Sequence, residues 1–303
     1  MKRVVYQIDA FTSTRFTGNP AGVVINAEAL SKHQMQALAR ELNNSETAFI
    51  SRAQSLDHDV WIRYFTPTAE VPVCGHATIA SGYAIWREQL NYPNPLRIKT
   101  GAGILSLSLE VDEKSDSCKV SMIQGKIQIS APVSVDLRTQ ILEALGIANC
   151  DLEESCPIEM ASTGHSKIMI GIHSKSKLDS LAPNMDLLRS ISKKIECNGF
   201  YVFTFDSGES GVLVSGRMFA PAIGINEDPV TGNANGPLGA YLISNRIFAA
   251  SENGTFSFVG KQGEAIGRTG YVGVVVDTDE NGMPTEVTIS GEAVVVFRCE
   301  IDI

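Results

Sequence analysis

Apolar and polar positions along this chain fall into two periods, and their order predicts a mixed α+β protein. Val4 to Ala10 alternates apolar with polar residues, and Ala21–Ile25, Ser45–Ile50 and Val60–Phe65 are short apolar runs, so all four read as strands. Between them, Ser31 with Gln34 has the spacing of a capping box, and Met35, Leu38, Ala39 and Leu42 repeat at helical spacing. That helix is expected to stop at Asn43-Asn44. Leu96–Thr100 and the alternating Leu105, Leu107, Leu109 and Val111 form a hairpin about Gly101-Ala102-Gly103. The two glycines are read as this turn rather than as a dinucleotide fingerprint, because a strand follows and no third glycine is present. Cys118–Ile129 carries another strand and Val135–Leu145 a helix ending at Gly146. Then come a strand at Lys167–Ile172, a helix at Met185–Ile195 and a strand at Phe200–Phe205. Near the C-terminus the β signals are Gly254–Val259, Gly270–Asp277 turned onto Thr285–Ile289, and Ala293–Cys299.

The same order occurs twice. Glu70-Val71-Pro72-Val73-Cys74-Gly75-His76-Ala77 returns as Glu227-Asp228-Pro229-Val230-Thr231-Gly232-Asn233-Ala234, 157 positions on, and Gly82 then falls on Gly239. Arg63-Tyr64-Phe65-Thr66-Pro67 matches Arg217-Met218-Phe219-Ala220-Pro221 at an offset of 154, so a short insertion between the two blocks is expected. Thr17-Gly18 and Thr163-Gly164 precede corresponding strands. After each glycine turn comes a segment that is small and apolar nearly all round, which reads as an enclosed helix, with Pro237 placed in a first helical turn. Two related domains follow: residues 1–130, with 293–303 as a possible C-terminal addition, and 131–303. In each, strands wrap an enclosed helix, and the pair is expected to pack about a pseudo-twofold axis with a cleft at the junction. Strand runs meet in hairpins too often for a parallel doubly wound sheet.

The net charge of −9 over 303 residues, without a Lys/Arg run, excludes nucleic acid and anionic membrane surfaces as expected partners. The N-terminal stretch lacks an apolar signal region and no run approaches a membrane span, so a soluble cytoplasmic protein is expected. Six cysteines without a C-x-x-C pair read as free thiols, and five histidines without metal-ligand spacing predict no metal.

Differences between the copies point to chemistry. At the 154 offset, Glu46 falls on Phe200; at the 157 offset, His76 falls on Asn233, Val71 on Asp228 and Cys74 on Thr231. A carboxylate beside an apolar strand has its charged form disfavoured by desolvation, which suits proton transfer near neutral pH, so Glu46 is the candidate general acid/base. The glycine turns place unpaired N–H groups at helix starts, where a small carboxylate can sit without Arg or Lys. His76 either fixes its turn or meets substrate, and Asp228 either forms its turn or accepts from a substrate amine or hydroxyl. Cys74, without a thiol across from it, is read as a buried small residue rather than as half of a two-thiol racemase.

Several of these motifs together resemble the phenazine-biosynthesis isomerase (PhzF-like) family. They are Asp9-Ala10-Phe11-Thr12 with Gly18-Asn19-Pro20-Ala21, Ser45-Glu46-Thr47-Ala48-Phe49, the two glycine turns, and Gln262-Gly263-Glu264 with Gly267-Arg268. The resemblance covers essentially the whole chain. It implies a fold similar to diaminopimelate epimerase, with two pseudo-symmetric domains, each a β-barrel-like sheet around a central helix. It also implies a homodimer and cofactor-free isomerisation of a dihydrohydroxyanthranilate-like acid by proton transfer. Carried onto this sequence, Glu46 moves the proton, His76 and Asp228 line the substrate, and the backbone at Gly75 and Gly232 holds its carboxylate. Ser45 and Asn233 complete the expected binding set. Many members read Gly-Ser-Ala-His where this chain has Gly232-Asn233-Ala234-Asn235, which replaces a hydroxyl and an imidazole by two amides and is expected to alter the pocket's hydrogen bonding. The rival expectations are an amino-acid epimerase or racemase and a non-catalytic carboxylate-binding protein.

Overall fold

The computed structural model describes residues 2–303, which divide into two units, one running to Ile123 and taking in Ser290–Ile303, the other spanning Gln124–Ile289. The first unit contains β1 (Lys2–Ala10), β2 (Asn19–Ile25), α1 (Lys32–Leu42), β3 (Thr47–Arg52), β4 (Val60–Phe65) and β5 (Glu70–Val71). These are followed by α2 (Gly75–Arg87), β6 (Leu96–Thr100), β7 (Gly103–Asp112) and β8 (Ser117–Ile123). The second contains β9 (Gln128–Ile129), α3 (Val135–Leu145), β10 (Glu159–Ser162), β11 (Lys167–Gly171), α4 (Lys175–Asp179) and α5 (Met185–Ile195). It continues with β12 (Phe200–Thr204), β13 (Val214–Ala220), β14 (Ile225–Asp228), α6 (Gly232–Ser244), β15 (Thr255–Gln262) and β16 (Gly270–Thr278). The last strand, β17 (Pro284–Asp302), begins in the second unit and finishes in the first.

The duplication read from the sequence is a duplication of topology. In the first unit β1 pairs antiparallel with β2, β2 parallel with β3, β3 antiparallel with β4, and β4 parallel with β6. In the second, β10–β11, β11–β12, β12–β13 and β13–β15 repeat these four relations in the same order. A parallel neighbour needs a crossover, and the helices supply them: α1 or α5 for the first, α2 or α6 for the second. Because β17 pairs with both β1 and β8, strands β1–β4, β6–β8 and β17 close an eight-stranded barrel. Helix α2 lies against β1, β2, β3, β7 and β8, with every residue from His76 to Ile85 buried. Helix α6 lies against β10, β11, β15 and β16 and is buried from Ala234 to Ile243.

Gly82 and Gly239 mark a close approach of each helix to its sheet. A Cβ on Gly82 would meet Leu107 and Val120 at 2.8 Å, and one on Gly239 would meet Val276 at 2.7 Å and Val274 at 2.9 Å. The outer helix α1 has the capping box its sequence predicts: Ser31 Oγ accepts from Gln34 N and Gln34 Oε1 accepts from Ser31 N. Asn43 ends it in the left-handed region at φ 52°.

The insertion that separates the two offsets is also visible. Arg63 and Glu70, seven positions apart, form a two-bond ion pair across β4 and β5; Arg217 and Glu227, ten apart, form the same pair across β13 and β14. The three extra residues fall between Pro221 and Glu227, where the chain makes the 3₁₀ turn Pro221–Ile223, capped by Gly224 at φ 88°.

Two expectations change, and one element is unanticipated. Thr285–Ile289 and Ala293–Cys299 are not separate strands but parts of the continuous β17, because Gly291 carries the strand past Phe11 where a Cβ would sit 2.4 Å from the ring. Pro237 lies inside α6, beyond its first turn. It is tolerated because Asn233, the residue whose carbonyl its missing N–H would have met, has itself left helical geometry at φ −84°, ψ 25°. Short helix α4 carried no sequence expectation at all. Among the described residues no helix is long and apolar enough to cross a membrane.

Candidate functional site

Ser45, Glu46, Cys74, Gly75 and His76 come together in the first unit. Ser45-Glu46 leads into β3, and Cys74-Gly75-His76 turns the chain from β5 into α2. Cys74 is the N-cap residue with extended φ/ψ, and it gives the helix no side-chain cap. Helices α1, α3, α4 and α5 are capped by the side chains of Ser31, Ser134, Ser174 and Asn184. The two enclosed helices α2 and α6 are not. The backbone at Gly75 and Gly232 thus stands at a helix start that no capping side chain covers and where the helix dipole is positive. The rest of the turn is pinned from behind: Tyr64 donates to Thr78 Oγ1 at 2.7 Å, and Thr78 donates on to Cys74 O at 2.7 Å.

His76 Nε2 lies 3.5 Å from Glu46 Oε2 and 3.3 Å from Ser45 Oγ, and His76 Nδ1 lies 3.4 Å from Cys74 Sγ. The side chain of Glu46 is 15 % exposed and that of His76 8 %. Burial raises the pKa of Glu46 above the ordinary glutamate value, against hydrogen bonds from Ser45 and Cys74 that lower it. A carboxyl set this way takes and returns a proton closer to neutrality than an exposed glutamate does. Cys74 is buried as expected, but it is more than a space-filling residue, because its thiol contacts the imidazole and hydrogen-bonds Glu46. Oxygen, sulfur and nitrogen donors of Glu46, Cys74 and His76 lie within 4.8 Å of one another, a set that a zinc-type cation also accepts. Chain spacing alone does not disclose that set, since Glu46 is remote from the other two.

Asp228, Thr231, Gly232 and Asn233 form the corresponding turn of the second unit. Thr231 Oγ1 donates to the Asp228 carboxylate and accepts from Gln262 Nε2 at 3.1 Å. Gln262 also donates to Asp228 O at 2.7 Å and accepts from Thr231 N at 3.1 Å, so one amide holds the turn at three points. Asp228 thus has a turn-forming role in the structure. Asn233 is half-buried, and its side chain has no hydrogen-bond partner among the described residues.

Asn235 departs from the expectation that it modifies a pocket. It is fully buried, accepts from Tyr201 at 2.9 Å and donates to Thr231 O at 3.1 Å, the framework task that Thr78 performs in the first unit. Gln262 stands in a motif that the sequence brings forward only as part of a resemblance; its burial and multiple bonds identify its role.

Strand register corrects the counterpart of Glu46. Thr47 pairs with Phe65 and Phe200 pairs with Phe219, and Phe65 is the repeat partner of Phe219. Thr47 therefore matches Phe200, and Glu46 matches Gly199, one residue earlier than the uniform offset gives. Backbone bonds agree: Gly22 N donates to Glu46 O as Ile168 N donates to Gly199 O. The asymmetry is sharper than an aromatic ring opposite a carboxylate, because a Cβ at Gly199 would meet Met218 Cε at 2.4 Å and Phe219 O at 2.6 Å.

This architecture and turn geometry define a family, and sequence comparison agrees. The phenazine biosynthesis-like (PhzC-PhzF) family model matches residues 8–299, and the chain belongs to that family. It is 53 % identical over 297 residues to a Clostridium acetobutylicum protein named as an uncharacterized isomerase, covering 98 % of this chain and 97 % of the relative. It is 45 % identical over 301 residues to the uncharacterized isomerase YddE of Escherichia coli K12, covering 99 % and 98 %. The solved Bacillus anthracis phenazine biosynthesis protein of the PhzF family superposes with a TM-score of 0.88 at 30 % identity, over 100 % of both chains.

Proposed function

We propose that this protein is an isomerase that moves a proton between carbons of a small cyclic or unsaturated carboxylic acid, of the dihydrohydroxyanthranilate kind, with Glu46 as general acid/base. The observation that carries the reading is a buried carboxyl with a raised pKa, set against His76 at the uncapped start of an enclosed helix. The isomerase names of relatives at 53 % and 45 % identity support the reaction class. The repeated topology around an enclosed helix supports reading each unit as diaminopimelate-epimerase-like.

In this reading Glu46 removes a proton from an sp³ carbon and becomes neutral. The electron pair left on carbon delocalises through the adjacent double bond, and the same carboxyl returns a proton at the far end of the allylic system. One C–H bond breaks, one forms, and the double bond shifts between them. His76 and Ser45 bind substrate polar groups beside Glu46, and the backbone at Gly75 receives the carboxylate. In the second unit, Asp228, Gly232 and Asn233 keep the substrate-contact roles assigned from their motif. With Gly199 at the repeat position, a two-base inversion has no carboxyl equivalent to Glu46 to use.

The test is proton NMR in deuterated water with dihydrohydroxyanthranilate and a panel of cyclic and amino carboxylates, with and without a chelator. Wild type is expected to isomerise or deuterate one compound in both conditions, and Glu46→Gln to slow it by about 10²–10⁴-fold. Equal rates in the variant defeat the reading. Loss of activity with chelator moves the chemistry to a metal on Glu46, Cys74 and His76, and Cα deuteration of an amino acid with inversion makes the protein an epimerase.

A further inference from the structure

A cavity of about 450 Å³ in the first unit is lined by Tyr6, Arg15, Arg87, Glu88, Gln89 and Arg298, none of which belongs to the Glu46 cluster. Its charge runs against that of the molecule. The chain carries −9 overall, yet three guanidinium groups and one carboxylate meet here. Burial pushes Glu88 up, but hydrogen bonds from Tyr6 and Arg298 outweigh it and hold the group below the ordinary glutamate value, so it stays charged at neutral pH.

The arginines are positioned by bonds that leave both outer nitrogens of Arg15 and Arg298, and one of Arg87, unused. Arg298 sits opposite Tyr6 across β17 and β1 and donates from Nε to Tyr6 Oη at 3.1 Å and Glu88 Oε1 at 3.0 Å. Tyr6 itself donates to Glu88, which fixes the floor. Arg15 donates from Nε to Val295 O at 2.8 Å, on a loop fastened where Phe16 N donates to Asp9 Oδ2 at 2.7 Å. Arg87 gives Nη1 to Asp116 at 2.9 Å. Both Nη groups of Arg15 and Arg298, and Nη2 of Arg87, have no hydrogen-bond partner among the described residues. Gln89 lines the same cavity in the left-handed region at φ 51°, a conformation that a side-chain-bearing residue adopts at a cost. Guanidinium forks held by Nε with the outer N–H groups open match the bidentate geometry of phosphoryl and carboxylate oxygens.

We propose that this cavity is a second ligand site, separate from the Glu46 cluster, which binds a small molecule through an oxyanion group carrying two or more negative charges. A phosphoryl group and a pair of carboxylates share that chemistry, and two probes separate them.

Isothermal titration of the full chain with pyrophosphate, and separately with citrate, at low ionic strength tests the proposal. At least one probe is expected to bind at one site per chain with Kd below about 1 mM, and to weaken at least about tenfold in Arg15→Gln and in Arg87→Gln. Both substitutions are at exposed positions outside the Tyr6–Glu88–Arg298 floor. Binding by Glu46→Gln is expected to equal that of wild type, which keeps this result independent of the catalytic reading. Preference for pyrophosphate or for citrate identifies the ligand class. Absence of saturation by either probe up to about 10 mM, or equal binding by the Arg15 and Arg87 variants, overturns it.

Discussion

Replacing Arg217 by Met should cost far more than replacing Arg63, although the two are repeat partners with the same two-bond pairing. Arg217 donates to both oxygens of Glu227 and, from Nη1, to the carbonyls of Leu178, Asp179 and Leu181 at 3.0, 3.3 and 2.8 Å. The two side chains are 9 % and 12 % exposed. The substitution leaves a carboxylate and the carbonyls at the end of α4 with little water to replace the guanidinium. Removing one partner of such a buried pair costs about 3–5 kcal/mol. Arg63 and Glu70 are 17 % and 28 % exposed, and Lys32 Nζ stands 2.9 Å from Glu70, so a cation remains when Arg63 is lost. Arg63→Met should therefore cost only about 1–2 kcal/mol. Urea unfolding of each variant, followed by far-UV circular dichroism and tryptophan fluorescence, measures both; Trp61 and Trp86 lie in the first unit, so fluorescence follows that unit. Arg217→Met with Glu227→Leu should recover most of the loss, since the stranded charge is gone. If Arg63→Met is as damaging as Arg217→Met, or the double variant is no better than the single, burial and partner number do not set the cost.

Two further outcomes are expected. The pKa of Glu46 lies above its unfolded value near 4.5, so the native state keeps a proton that the unfolded chain has lost, and this contribution to stability is lost as pH rises from 4.5 through the folded pKa. Glu46→Gln should flatten that part of a melting-temperature profile and melt higher than wild type at pH 7; an unchanged profile would show that burial does not disfavour its charge. Gly199→Ala should destabilise by about 1–3 kcal/mol in the same urea assay, because its Cβ has no room beside Phe219 O; a neutral result would mean that this backbone gives way freely.

Much of this was legible because it is local. The capping box at Ser31 and Gln34, the Asn43 stop and the two glycine turns depend on residues close in sequence, and repeated spacing disclosed the duplicated order of elements. The three-position difference between offsets anticipated the turn at Pro221–Ile223. What stayed hidden depends on partners across a sheet. A uniform offset put Phe200 opposite Glu46, whereas hydrogen-bond register puts Gly199 there. Gly291 resembles a strand break until Phe11 is known to lie against it. Cys74 looks inert in a string, because neither Glu46 nor the imidazole direction of His76 can be read from it. Asn235 looked like a pocket residue because its neighbours in sequence were, although its amide is consumed by Tyr201 and Thr231.

The continuous β17 also orders the birth of the molecule on the ribosome. Strand β1 emerges before the second unit, yet its partner along Ala293–Asp302 is translated only after the whole of that unit. Until then the nascent first unit exposes an unpaired edge on β1, the kind of surface that recruits chaperones or pairs with a neighbouring polypeptide. The second unit, ending at Ile289, reaches the tunnel exit earlier, so synthesis favours its consolidation first. A message cut short before Ala293 would release a chain with the whole second unit and an open barrel, a natural substrate for quality-control proteases.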